Sequence, residues 1–181
     1  MNRIALKRIA LVLALSAVIG AAQAGDGAPD LSKVNGSLVA EAGRTYGDID
    51  TVNGSITVQA KAVARNVETV NGSIKLLSLN VGGGVETVNG NITVGDGSVV
   101  DGNVTVKKPS NWGMSWGKPK VPRIVLGPNS TVKGNLVFER EVELYVHSTA
   151  KYGKIIYLEA EASKAEALNP IVFTGKEPDF K

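Results

Sequence analysis

Val52-Asn53-Gly54-Ser55-Ile56-Thr57-Val58 and its near copy Val70-Asn71-Gly72-Ser73-Ile74-Lys75-Leu76 decide the fold of this chain. The same phrase opens at Val34-Asn35-Gly36-Ser37-Leu38 and returns as Val88-Asn89-Gly90-Asn91-Ile92, so Asn35, Asn53, Asn71 and Asn89 share one fixed interval of 18. A short fixed period marks a repeat architecture, in which one unit cannot bury its apolar face alone. The apolar positions of a unit read as Ile56, Val58, Val63, Val67 and Val70, then as Ile74, Leu76, Val81, Val85 and Val88. Short alternating runs of the Ile-x-Val kind mean strands rather than helices. Asn-Gly supplies a corner, because both residues tolerate left-handed backbone. Three strands and three bends in each period predict one coil of an all-β, single-stranded parallel β-helix, a solenoid.

Stacked coils set like residues above one another at the inter-strand spacing of about 4.8 Å. The four asparagines then form a ladder whose side-chain amides bond to one another, as in other stacked β assemblies. Crossovers between parallel strands favour a right-handed wind, although left-handed hexapeptide helices share the same coil length. Of nine aromatic residues only Tyr46 precedes residue 107, so the early coils are thin and aliphatic.

The first segment stands outside this pattern. Arg3, Lys7 and Arg8 precede an apolar run from Ile9 to Ala22, and Ala22-Gln23-Ala24 reads as a cleavage site. This predicts a signal peptide over 1–24 and cleavage between Ala24 and Gly25. The expected mature chain is periplasmic or extracellular and has no transmembrane segment, since the run is shorter than the ~20 residues of a span. The full chain carries 20 basic and 17 acidic residues; without the three basic ones of 1–24 it is neutral. Nothing in that balance suggests a nucleic-acid partner. The absence of cysteine removes disulfides, thiolate metal sites and redox chemistry.

Residues 25–33 read as a polar lead-in and the solenoid as 34–158, about six coils. The first coil is the least regular, with Thr45 where later coils have Val63, Val81 and Val99. Val94, Val100, Gly102 and Val104 match Leu126, Val132, Gly134 and Leu136 at an offset of 32, which exceeds one coil by 14. Because Thr105-Val106 matches Thr69-Val70, the surplus falls in 107–122, at a corner that elsewhere carries Asn-Gly. Leu126 to Leu144 and Val132 to Ala150 return to 18. Alanine and glutamate dominate 159–168, so 159–181 reads as a short helical C-terminal cap, a partial strand at 171–173 and a tail.

The Val-Asn-Gly-Ser-Ile phrase, with Glu-Thr before it at 68–69 and 86–87, resembles a bacterial adhesin-type β-helix repeat family. The Val-x-Gly-Asn phrases at 100–104 and 132–136 also resemble bactofilins. The first resemblance implies a β-helix without catalytic residues. The second implies a subunit that polymerises, although bactofilins are typically cytoplasmic and this chain carries an export signal.

Material for catalysis is sparse. His147 is the only histidine, which excludes a three-histidine zinc site; at a strand-to-turn boundary it reads as a solvated turn residue. Asp50, Glu68 and Glu86 align as an outward acidic ladder, too sparse for a hard-cation site, and Thr51, Thr69, Thr87 and Thr105 align beside them. No catalytic residue, metal ligand or cofactor is expected.

The 107–122 insertion is the candidate partner-binding loop, through Lys108, Trp112, Met114, Trp116, Lys118 and Lys120. Tryptophans spaced by glycine suit stacking on sugars or anchoring a protein interface, or else fold back over the core. The expected function is an exported, non-enzymatic solenoid that binds or displays at the envelope, with a surface protein or polysaccharide as partner. A self-assembling structural subunit joined through its coil ends is the alternative. A polysaccharide-acting or acyl-transfer β-helix enzyme is the third.

Overall fold

Coil follows coil through three parallel sheets. The structure is a computed structural model and describes residues 27–78, 80–109, 120–158 and 169–178. Coil one holds β1 (Leu31–Asn35) and β2 (Leu38–Ala40), and its third side is a bridge from Thr45 to Val63. Coil two holds β3 (Asp48–Asn53), β4 (Ile56–Val58) and β5 (Val63–Ala64). Coil three holds β6 (Asn66–Asn71), β7 (Ile74–Leu76) and β8 (Asn80–Val81). Coil four holds β9 (Val85–Thr87), β10 (Ile92–Val94) and β11 (Val99–Val100). Coil five holds β12 (Val104–Val106), β13 (Arg123–Leu126) and β14 (Thr131–Val132). Coil six holds β15 (Leu136–Phe138), β16 (Glu143–His147) and β17 (Lys151–Tyr152). A partial seventh contributes β18 (Ile155–Tyr157) and β19 (Ile171–Phe173).

The first sheet stacks β1-β3-β6-β9-β12-β15-β18, the second β2-β4-β7-β10-β13-β16-β19, and the third β5-β8-β11-β14-β17. Every pairing is parallel, and no helix occurs among the described residues. The chain is therefore an all-β solenoid of about six turns, as its period predicts. Ile49, Val67, Val85, Val104 and Leu136 fill the core from the first sheet, and Ile56, Ile74, Ile92 and Ile124 from the second. Each such side chain contributes roughly 1.5–3 kcal/mol on burial. Aromatic bulk is concentrated in the last described coils, where Phe138 is fully buried and Tyr152 and Tyr157 pack against the end of the core; Tyr46 is the one buried aromatic of the earlier described coils.

The expected inward positions fail at two corners. Side chains alternate along a strand, so a one-residue error exchanges faces. In β6 the sequence Val67-Glu68-Thr69-Val70 runs in, out, in, out: Thr69 is buried and Val70 lies half-buried on the outer surface. Val88 repeats this, with Thr87 buried beneath it. In the third sheet Val63 pairs with Asn80, and Ala64 with Val81. Val63 is therefore exposed, and the inward column is Ala64, Val81, Val100 and Val132. Coil one places the ring of Tyr46 inward beside the outward Thr45.

Two spacings also change. Val106, not Thr105, continues the Thr51-Thr69-Thr87 column, because β12 pairs Val106 with Thr87 and Thr105 with Glu86. The offset of 32 holds, with Val94 on Leu126, Val100 on Val132 and Val104 on Leu136. The next step is 20 rather than 18, since Leu126 pairs with Val146 and Val132 with Tyr152. The first strand starts at Leu31, inside the segment read as a lead-in. At the other end β19 adds to β16; the helix expected over 159–168 falls outside the described residues.

Candidate functional site

The corner between the first and second sheets collects the residues that the repeat singles out. Asn53 Nδ2 donates to Asn35 Oδ1 at 2.9 Å, Asn71 to Asn53 at 2.9 Å and Asn89 to Asn71 at 3.0 Å, which is the ladder the sequence predicts. All four rungs are solvent-exposed. Beside them Ser55 N donates to Ser37 Oγ and Ser73 N to Ser55 Oγ, and Arg123 N continues the row by donating to Asn91 Oδ1.

Glycine lies between the two rows for a reason other than the one expected. Only Gly36 of this column has a positive φ, 111°. At Gly54, Gly72 and Gly90 an added Cβ would collide with the carbonyl oxygen of the glycine one coil below. Close stacking of backbones, not left-handed geometry, demands glycine there.

From Val106 to Ile124 the chain takes far more steps than from Thr87 to Ile92, and this corner is longer by 13. The sequence count of 14 included one residue from the corner between β10 and β11, where Val94 to Val99 is one step longer than Leu76 to Asn80. Of the expected loop residues, Lys108 and Lys120 are described and exposed. Trp112, Met114, Trp116 and Lys118 lie outside the described residues.

Both ends of the insertion attach to one short turn of coil six. Lys108 N donates to Glu139 Oε2 at 3.2 Å, and Arg140 Nη2 donates to Lys120 O at 3.0 Å. Arg140 Nη1 reaches back to Asn89 Oδ1 at 2.9 Å and Val88 O at 3.2 Å. The arginine is buried to 7% exposure. Nothing in Glu139-Arg140-Glu141 signals this, since a charged triplet in a turn ordinarily reads as solvated.

On the outer face of the first sheet Asp50, Glu68 and Glu86 stand in register, as expected. Glu86 Oε1 is 2.8 Å from Lys107 Nζ. Burial, then the neighbouring Glu86 and Asp50 charges, push the Glu68 carboxyl up to about 7. Burial also raises Glu86, against the opposing pull of Lys107. Among the described residues no three His, Asp or Glu side chains are grouped to hold a metal ion.

His147 is not the solvated turn residue expected. It ends β16, buried, with its ring edge-on to Phe173 at 5.1 Å between centroids. Its Nδ1 accepts the Thr149 backbone N–H at 3.1 Å and lies 2.8 Å from Thr149 Oγ1. That nitrogen is engaged in holding the turn.

A second ladder, missed in the sequence, runs along the corner between the third and first sheets. Asp48 N donates to Asp30 Oδ1, Asn66 Nδ2 to Asp48 Oδ1, Gly84 N to Asn66 Oδ1, Asn135 N to Asn103 Oδ1 and Lys154 N to Asn135 Oδ1. The Gly-Asn phrases at 102–103 and 134–135 were its signal.

No protein-family model, no curated protein and no solved structure matches this chain.

Proposed function

We propose that the chain is an exported, non-enzymatic solenoid that holds its 107–122 insertion out to a protein or polysaccharide of the cell envelope. One observation carries this reading: Glu139 and Arg140 hydrogen-bond both ends of the insertion to a rigid coil. Functional residues concentrate on loops that a stiff scaffold positions, and two closely spaced tryptophans supply anchor area. Crosslinking to envelope fractions tests it. Trp112→Ala with Trp116→Ala should abolish capture while the melting temperature stays put. A large fall in melting temperature would assign the tryptophans to the core instead, and unchanged capture with unchanged stability would remove the loop from function.

A second reading, self-association through the coil ends, draws on Leu158, Ile171 and Val172, which are 57%, 52% and 63% exposed at the last coil. Terminal strands with open backbone groups invite pairing with another chain. Electron microscopy of the purified protein separates the two, with filaments supporting assembly and monomers supporting display.

A further inference from the structure

The four Asn-Gly corners are alike in sequence and unlike in their bonding. Asn53 and Asn71 each donate to the rung below and accept from the rung above. Asn89 donates to Asn71 and accepts from Arg140. Asn35 accepts from Asn53, and among the described residues no asparagine lies beneath it to take its own amide protons. Its Nδ2 is the one amide nitrogen of the column that the ladder leaves out.

Asn-Gly pairs are also where a backbone nitrogen most readily reaches the preceding side chain, since glycine puts no Cβ in the way. We propose that Asn35 is a site of spontaneous covalent modification, a deamidation that the ladder suppresses at Asn53, Asn71 and Asn89. In that reaction the Gly36 nitrogen attacks Asn35 Cγ. The N–Cγ bond forms, the Cγ–Nδ2 bond breaks, and Nδ2 leaves as ammonia with the proton that Gly36 gives up. Water then opens the resulting five-membered imide at either carbonyl, giving aspartate or isoaspartate.

Gly36 N donates to Asn53 O at 2.9 Å, so the corner must open before its nitrogen can attack. Opening is easiest in the end coil, which among the described residues has a neighbour on one side only. The Asn53 and Asn71 corners must break rungs both above and below, and the Asn89 corner must break the rung below and release Arg140.

The other ladder shows what the product would do. There an aspartate already fills an early rung, with Asn66 Nδ2 donating to Asp48 Oδ1 at 2.8 Å. Aspartate at position 35 would accept the Asn53 amide in the same way. At position 71 it would set two acceptors against each other, because Asn53 Oδ1 would lose its donor. Isoaspartate adds a methylene to the backbone and disrupts the corner at any rung.

Peptide mass mapping of folded protein aged at mildly alkaline pH tests the proposal. Asn35 should convert on the order of tenfold faster than the three inner asparagines, and in denaturant all four should converge. An inner asparagine that converts as fast as Asn35 in the folded protein would overturn it. So would an Asn35 rate that stays below the inner ones. Asn35→Asp should melt with the unchanged protein while Asn71→Asp melts lower; equal losses would contradict the ladder account.

Discussion

Arg140 closes the asparagine ladder by donating from Nη1 to Asn89 Oδ1 at 2.9 Å. The two residues lie on corners two coils apart. Between them coil five carries the insertion in place of an Asn-Gly corner, and the arginine bonds directly from coil six to coil four. Its other contacts, Val88 O and Lys120 O, are neutral carbonyls, so one buried side chain joins coil four, the end of the insertion and coil six.

Removing that side chain takes the donor from all three acceptors. Arg140→Met should cost about 2–3 kcal/mol, the scale of lost bonds to a charged group. Trypsin should then cut more quickly at the exposed Lys120. Arg140→Lys should recover only part of both effects, since a point ammonium cannot span the acceptors that a planar guanidinium does. Unchanged proteolysis in Arg140→Met would show that the loop is held elsewhere.

Asn71→Ala should lower stability about twice as much as Asn35→Ala, at roughly 0.5–1.5 kcal/mol per bond. Asn71 makes two ladder bonds and Asn35 one. The scale is modest because the rungs are exposed. Denaturant melts that shift equally for the two variants would rule out a cooperative ladder.

Thr51 and Thr69 donate to Gly36 O at 3.2 Å and Gly54 O at 3.0 Å, whereas buried Thr87 Oγ1 has no hydrogen-bond partner among the described residues. Thr87→Val should therefore be neutral or stabilising by up to about 1–2 kcal/mol, while Thr69→Val loses about 1 kcal/mol. The chain makes the same exchange one coil later, at Val106. A destabilised Thr87→Val would show a bond to the hydroxyl that the static structure lacks.

Glu68 sets a pH dependence. Its folded carboxyl titrates near 7, above the ordinary value of 4.5, so folding disfavours its charged form. The stability it permits is full below 4.5 and is lost as pH rises through 7. Glu68→Gln should remove that slope. It should gain roughly 1–2 kcal/mol over the unchanged protein near pH 8, discounted for partial solvation, and nothing near pH 4. A difference independent of pH would place the effect outside this titration.

Replacing Lys108–Pro122 with Asn-Gly should give Val106 to Ile124 the same short path as Thr87 to Ile92 and keep a β-rich circular dichroism spectrum. Shortening the loop changes its closure cost by only about 0.6 kcal/mol per halving. The new asparagine and Arg140 would compete for Asn89 Oδ1, so the shortened chain should be more stable with Arg140→Ala than without it. Additive effects of the two changes would contradict that competition.

The regular interval of Asn35, Asn53, Asn71 and Asn89 was enough to derive the solenoid, its asparagine ladder, the acidic register of Asp50, Glu68 and Glu86, and the corner of the insertion. A period survives in one dimension because stacking copies each residue onto its equivalent. What it leaves open is which residue of a neighbouring pair faces inward. That was decided by corner length: the corner after Leu76 is one residue shorter than that after Val58, so Ala64 lies under Val81 and Val63 under Asn80. The same sensitivity exchanged Thr69 with Val70 and Thr105 with Val106, since a strand alternates with period two and one residue reverses every face. Arg140 and His147 depended on the stack itself. Their partners Asn89 and Phe173 lie far off along the chain, in coils that only tertiary winding brings within reach.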